Sequence, residues 1–404
     1  MNTPQQDDDD AAGVADIDVV DEGNKTKDEV YRSLLRLLES FTQTETSSPQ
    51  PLSHWRELDN DIQQAYQLIG QGAEYVKSTS TKYTLMGKSC SSSQHDKGSH
   101  YELALDLLRG AEQIAAGAFF LLQNNSGCGR SCQSFLREGI RATMASLASL
   151  VEVFLPDNNE QAIEESANRK TGALWESCDA LFLIPKGNRS AIRRELLGWM
   201  RDSVETMQEF QALLEHQPPL EEDAVGKELQ KFSFDNNNHK NSNEEEWQAF
   251  CTGEEEDLYY KVSERGIAES CLRLIKCSRG TLALTLDACE SAGQMLSTTC
   301  KDQEFILQWI GELSENCKIV GEGVTNLGME LYPSLQLDSL LAELNTQRDA
   351  LFNLQNCILS CPDRLFLSLS DIKVKASKLA QNSEERYRQA KDAIEALMQS
   401  NSVV

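Results

Sequence analysis

Histidine is scarce in this chain: five residues, His54, His95, His100, His216 and His239, with none paired at helical spacing. That scarcity removes the commonest metal ligand and general base from most catalytic patterns. The twelve cysteines do not replace them. Cys128 and Cys132 stand four apart, as do Cys357 and Cys361, the others are scattered, and no pair has the two-residue gap of zinc ribbons and fingers. Buried or half-exposed free thiols are expected, with no metal. Gly321 and Gly323, with Gly328 beyond, have the wrong spacing and no preceding strand for a dinucleotide loop, so close helix packing is their expected use. Gly87-Lys88-Ser89 lacks the upstream glycine of a phosphate loop, and serine-hydrolase elbows and kinase loops are missing. No catalytic constellation and no cofactor are expected.

Long apolar runs are missing too. The longest, residues 114–122, falls well short of the roughly 18–20 residues that span a bilayer. The first residues are polar and acidic rather than basic and then apolar, which argues against a secretory signal and makes the cell interior the default compartment. Positive charge is in deficit, the net being −26. Because nucleic-acid affinity rests on cations that displace counterions, direct nucleic-acid binding is not expected.

What is present is helical periodicity broken by a charge anomaly. Residues 217–257 carry twelve carboxylates against Lys227, Lys231 and Lys240, and residues 1–30 carry ten acids against two bases. Such segments cannot bury enough apolar surface to offset chain entropy. The sequence therefore predicts an all-α protein of two antiparallel helical bundles joined by a disordered acidic linker. Its parts would be a disordered tail at 1–25, a bundle at 26–216, the linker at 217–257 and a bundle at 258–400.

Within the first bundle, the capping-box pattern at Thr26 to Glu29 predicts a helix start, and Trp55, Leu58, Ile62, Tyr66, Ile69, Ala73 and Val76 read as one face of the second helix. A third helix is predicted from Ser99 with Leu105, Leu108, Ala111, Ala115 and Phe119 inward, and a fourth from about Ser131. The clearest stripe follows Asn188: Ile192, Leu196, Met200, Val204, Met207, Gln211 and Leu214. Beyond the acidic stretch, residues 258–298, 302–331, 335–360 and 371–398 each read as one long helix or two shorter ones. The nine prolines are expected between helices.

Candidate interaction residues are few. Trp247 and Phe250 are aromatics among acids, and Tyr259 and Tyr260 follow directly, so these four are candidate partner contacts. Ser242 and Thr252 suit an acidophilic kinase and Ser48 a proline-directed one. Arg32-Ser33-Leu34-Leu35 and Arg194-Glu195-Leu196-Leu197 fit a cyclin-docking pattern, but inside amphipathic helices their leucines should face a core. Long helices alone would also suit an adaptor of the vinculin or α-catenin bundle type that tethers cytoskeletal partners.

One stretch carries a resemblance. Trp175-Glu176-Ser177-Cys178, then Ile184-Pro185-Lys186-Gly187-Asn188 and the amphipathic helix after it, followed by an acidic insert and a helix ending in Leu331-Tyr332-Pro333, resemble the D-type-cyclin-interacting proteins, also called cyclin-D-binding or human helix-loop-helix proteins. The resemblance implies an all-helical, cytoplasmic and nuclear protein. It would bind D-type cyclins and helix-loop-helix transcription factors and restrain cell-cycle progression, without a basic region for DNA.

Overall fold

The computed structural model describes residues 19–42, 52–55, 58–89, 94–123, 126–155, 160–215, 259–296, 302–362, 365 and 369–401. Among them no strand occurs, and the fold is all-α, as the periodicity predicts. The helices are α1 (Val19–Thr42), α2 (Asn60–Ser89), α3 (Gln94–Leu122), α4 (Arg130–Val153), α5 (Glu160–Phe182), α6 (Asn188–Glu215), α7 (Val262–Met295), α8 (Gln303–Met329), α9 (Leu337–Leu359) and α10 (Ser370–Asn401). The described prolines, Pro185, Pro333 and Pro362, all lie between helices. The acidic stretch at 217–257 lies outside the described residues.

Three starts differ from the sequence reading. Helix α1 begins at Val19, inside the segment assigned to a disordered tail at 1–25. Helix α2 begins only at Asn60, so Trp55 and Leu58 precede it. Helix α3 begins at Gln94, and Ser99 stands within it rather than at its cap.

The chain divides into two compact units. The first holds α1, α2, α3, α5 and α4 from Gln133 onward. Helices α2 and α3 form its centre and run antiparallel, since Gly117 packs at Ala65, Gly110 at Val76 and Gly87 at His100. Glycine permits the close approach: a Cβ on Gly72 would lie 2.9 Å from the Gly110 carbonyl oxygen, and one on Gly110 would lie 2.6 Å from Val76. This approach also sets the buried face of α3. Ala104, Leu107, Ala111, Ile114, Ala115, Ala118 and Leu121 are buried, the predicted Ala111 and Ala115 among them, whereas Leu105 and Leu108 are half-buried and Phe119, 41% exposed, stacks on Phe41. Small residues at seven-residue intervals let α2 come close, which outweighs burying the larger Leu105 and Leu108. Leu34 of the first cyclin-docking pattern is buried in the core.

Among the described residues, the second unit contains 52–55, 127–132 and those from Pro185 onward. In α7 to α10 successive helices run antiparallel: Gly323 packs beneath Gln347 and Trp309 donates to the Cys357 carbonyl between α8 and α9, while Gln355 meets Ser383 and Asn345 meets Tyr387 between α9 and α10. Their apolar core includes Leu274, Leu282, Leu313, Val320, Leu351 and Ile394. Through it runs a polar layer. Gln347 Nε2 donates to Ser278 Oγ at 2.9 Å, and Gln355 Nε2 donates to Thr281 Oγ1 and Ser383 Oγ at 3.2 Å each. Buried amide donors bonded across helices this way fix the register of the three helices they join.

The sequence reading closes the first bundle at 216, yet α6 packs on α7 and α8. It runs antiparallel to α7, with Arg193 near Glu290 and Arg265 donating to the Leu214 carbonyl. Ile192, Leu196, Ser203 and Phe210 are among its buried residues, Met200, Met207 and Leu214 pack half-buried against the core, and Gln211 is exposed. The division between compact units therefore falls at Ile184 and Pro185. Composition marks where charge accumulates; shape complementarity decides which bundle a helix joins.

Candidate protein-binding site

In the second unit, the Ile-Pro-Lys-Gly-Asn turn ends in a clamp. Gly187 has φ +83°, a left-handed conformation that suits glycine, and it delivers Asn188 as the first residue of α6. The Asn188 side chain is buried and uses its whole amide: Nδ2 donates to the carbonyls of His54 at 2.8 Å and Gly127 at 2.9 Å, and Oδ1 accepts from Gly129 N at 2.7 Å. Gly127 itself has φ +69°. Around this amide, Ser53 N donates to the Gly127 carbonyl and Arg189 N to the Trp55 carbonyl. Buried Trp55 then lies directly over Gly293 of α7.

One turn on, Arg130 Nη2 reaches both carboxylate oxygens of Glu195 at 2.9 Å and Nε reaches Glu315 at 2.7 Å. Ser131 Oγ adds a 2.5 Å bond to Glu195 and shares a 2.9 Å bond with Ser314. Charge-assisted bonds of this geometry are strong and directional, and they align α6 with α8. Glu195 of the second cyclin-docking pattern is thus held by Arg130, and its Leu196 is buried in the core.

In the first unit, the seam between α2 and α5 offers a different surface. The helices run antiparallel, and three successive steps pair Ser80 with Trp175, Lys77 with Asp179 and Gly70 with Phe182. Trp175 Nε1 donates to Ser80 Oγ at 3.2 Å, Lys77 Nζ to Asp179 at 2.6 Å, and the Phe182 ring lies 3.1 Å from where a Gly70 Cβ would stand. Positions 175, 179 and 182 share one helix face by their spacing of four and three. Below them Leu174, Cys178 and Leu181 are buried, which holds the outer row in place. Trp175 and Phe182 remain 38% and 41% exposed and Leu183 72%. Two large rings flanking an ion pair make an amphipathic surface of the kind that anchors protein interfaces. Trp175 and Cys178 stood out in the sequence; Phe182 did not, although its seven-residue spacing from Trp175 was the available signal.

The sequence-derived candidates fare unevenly. Tyr259 is 39% exposed and can meet a partner. Tyr260 is 2% exposed and belongs to the core, its hydroxyl donating to the Leu331 carbonyl, so it has no surface to offer. Burial draws it in because this residue closes the end of the second unit's core. Next to it Tyr332 donates to Glu209 at 2.5 Å and meets Phe210 edge-on. Trp247, Phe250, Ser48, Ser242 and Thr252 lie outside the described residues.

Several thiols are kept quiet by burial. Burial pushes Cys178, Cys271 and Cys357 up to about 12, with Cys289 and Cys317 raised as well. Thiolate, the reactive form, is thereby suppressed. Among the described residues no group of three or more His, Cys, Asp or Glu is placed to hold a metal ion, and no helix is long and apolar enough to cross a membrane.

Residues 68–213 match the family model described as Grap2 and cyclin-D-interacting, N-terminal. This stretch is similar to the cyclin-D-interacting family. It runs from α2 to the end of α6 and contains Trp175, Asp179, Phe182 and Asn188. The chain is 25% identical over 233 residues to a protein of Danio rerio named Cyclin-D1-binding protein 1 homolog, covering 57% of this chain and 58% of that protein. It is 23% identical over 237 residues to the Xenopus laevis protein of the same name, covering 57% of this chain and 61% of that one. The matched stretch therefore spans about three-fifths of each of these cyclin-D-interacting relatives.

Proposed function

We propose that this protein is a non-enzymatic regulator that binds D-type cyclins through the α2–α5 seam and thereby restrains cell-cycle progression, acting in cytoplasm and nucleus. Helix-loop-helix transcription factors are its second class of partner. The observation that carries this reading is the exposed Trp175 and Phe182 pair inside residues 68–213, the stretch that matches a family named for cyclin-D interaction.

The test is a pull-down of purified D-type cyclin by the full chain, with Trp175→Ser and Phe182→Ser as variants and Phe352→Ser, an exposed aromatic of α9, as control. Each seam variant is expected to weaken capture about tenfold or more, and the control to leave it unchanged. Failure of the parent chain to retain any D-type cyclin overturns the function. Capture insensitive to both seam variants overturns the binding face. The same variants, tagged and imaged in cells, test the two compartments, and co-precipitation with helix-loop-helix factors tests the second partner class.

A further inference from the structure

The exposed side of α8, in the second unit, carries a feature that the cyclin reading does not use. Phe305 projects from its first turn, 65% exposed although it is a large aromatic. Beside it a cavity of about 530 Å³ is lined by Phe305, Ile306, Trp309 and Pro362 together with Asp302 and Glu312. A second cavity of about 420 Å³ adjoins it, since Gln308 and Glu312 line both, and continues over Leu52, Ile192 and Gly311. Both volumes have room for a large side chain and fall in the range of built binding pockets, about 300–1,000 Å³.

The polar groups around these cavities define the occupant. Trp309 Nε1 is bonded to the Cys357 carbonyl, so its indole offers apolar surface to the cavity. Glu312 accepts from Gln308 Nε2 at 3.0 Å and keeps further acceptor capacity. The one cation among the lining residues is Arg130, whose guanidinium is held by Glu195 and Glu315. Carboxylates therefore dominate the lining over an apolar floor. A second copy of this chain carries −26, and residues 217–257 carry twelve carboxylates against three lysines, so like charge disfavours both as occupants.

We propose that the paired cavities along α8, between Pro362 and Leu52, are a docking groove for a partner segment in which a bulky apolar side chain is flanked by lysine or arginine. The apolar residue stacks on Phe305 and enters over Trp309, and the flanking cation meets Glu312. This groove lies outside the stretch matched to the cyclin-D-interacting family except for Gly129, Arg130, Ser131, Asn188 and Ile192, and it does not rest on the cyclin reading.

The test pans a displayed library of random twelve-residue peptides against the full chain at near-physiological salt. Enriched peptides are then measured by fluorescence anisotropy on the parent chain and on Phe305→Ser, Glu312→Lys and, as a control of equal charge change on exposed α6, Glu205→Lys. The expected peptides share a bulky apolar residue beside lysine or arginine. They should bind about tenfold or more weakly to Phe305→Ser and Glu312→Lys while holding their affinity for Glu205→Lys. Circular dichroism of each variant confirms that the exposed substitutions leave the helices intact. The proposal is overturned if no peptide is enriched or if the enriched peptides are acidic or lack a bulky apolar residue. It is also overturned if Glu205→Lys weakens binding as much as Glu312→Lys, which would show diffuse attraction to an acidic protein. Self-association of the chain blocked by Phe305→Ser would assign the groove to a second copy and overturn it as well.

Discussion

Trp199 of α6 lies flat against the bare face of Gly321 in α8, its ring carbons occupying the place where a Cβ would stand. Gly321→Ala should therefore destabilise the second unit by about 1–3 kcal/mol through overpacking, despite alanine's better helix propensity. Gly198, one residue before Trp199, has nothing within 4 Å of its missing Cβ. Gly198→Ala should stabilise by about 0.5–1 kcal/mol. Urea unfolding midpoints at constant slope read both; shifts of the same sign would contradict the packing described.

Asn188 is the most demanding side chain in the fold. Asn188→Asp keeps the shape and loses both donors, turning a carboxylate toward the carbonyls of His54 and Gly127. A loss of about 3 kcal/mol or more is expected, because buried acceptors then face one another without a proton between them. Asn188→Ala should cost less than Asn188→Asp, and a reversed order in chemical denaturation would show that the clamp is not made by the amide.

His100 gives the first unit an acid sensitivity. Stacked on Tyr83 and edge-on to Phe154, its Nε2 donates to the Tyr83 carbonyl at 3.1 Å. Burial first, and the charge of Lys27 second, depress its pKa from 6.5 to about 3, against the opposing pull of that hydrogen bond. The folded chain thus keeps His100 neutral where the unfolded chain takes a proton. Its contribution is complete above pH 6.5 and declines as pH falls toward 3, by about 1.4 kcal/mol per unit. His100→Gln removes the titration, so the stability gap between parent and variant should narrow from pH 7 to pH 5. A gap that stays constant would refute the assignment.

The thiols offer a simpler readout. With Cys178, Cys271 and Cys357 pushed up to about 12 by burial, brief iodoacetamide treatment at neutral pH should leave these three unmodified in the folded protein. Mass spectrometry after unfolding should find them alkylated. Rapid labelling of Cys271 in the native state would mean that the core around it opens.

Helix identity was legible because apolar residues recur at three and four throughout. Their rotation was less so. In α3 the alanines at 104, 111 and 118 outrank larger neighbours for the inward face, since the deciding quantity is how closely α2 can approach. Trp55 read as part of α2, but its site is made by Gly293, far along the chain, and no local pattern announces that pairing. Asn188 drew notice as a motif letter; its partners are main-chain groups, which every residue possesses and sequence cannot rank. The α2–α5 seam was half visible, through Trp175 and the regular spacing to Phe182.

The clamp at Asn188 also fixes an order of assembly. Its partners at 54, 127 and 129 leave the ribosome well before it does, and at about 5–20 residues per second the stretch around Trp55 waits on the order of ten seconds for the residues that enclose it. Until then Trp55 has no cover from Gly293 of α7. A fragment cut anywhere in 217–257 would strand α6 without α7 and α8, so the two halves delimited by charge cannot be produced as separate folded proteins, and dissection of this chain has to carry residues 52–55 and 127–132 along with its C-terminal helices.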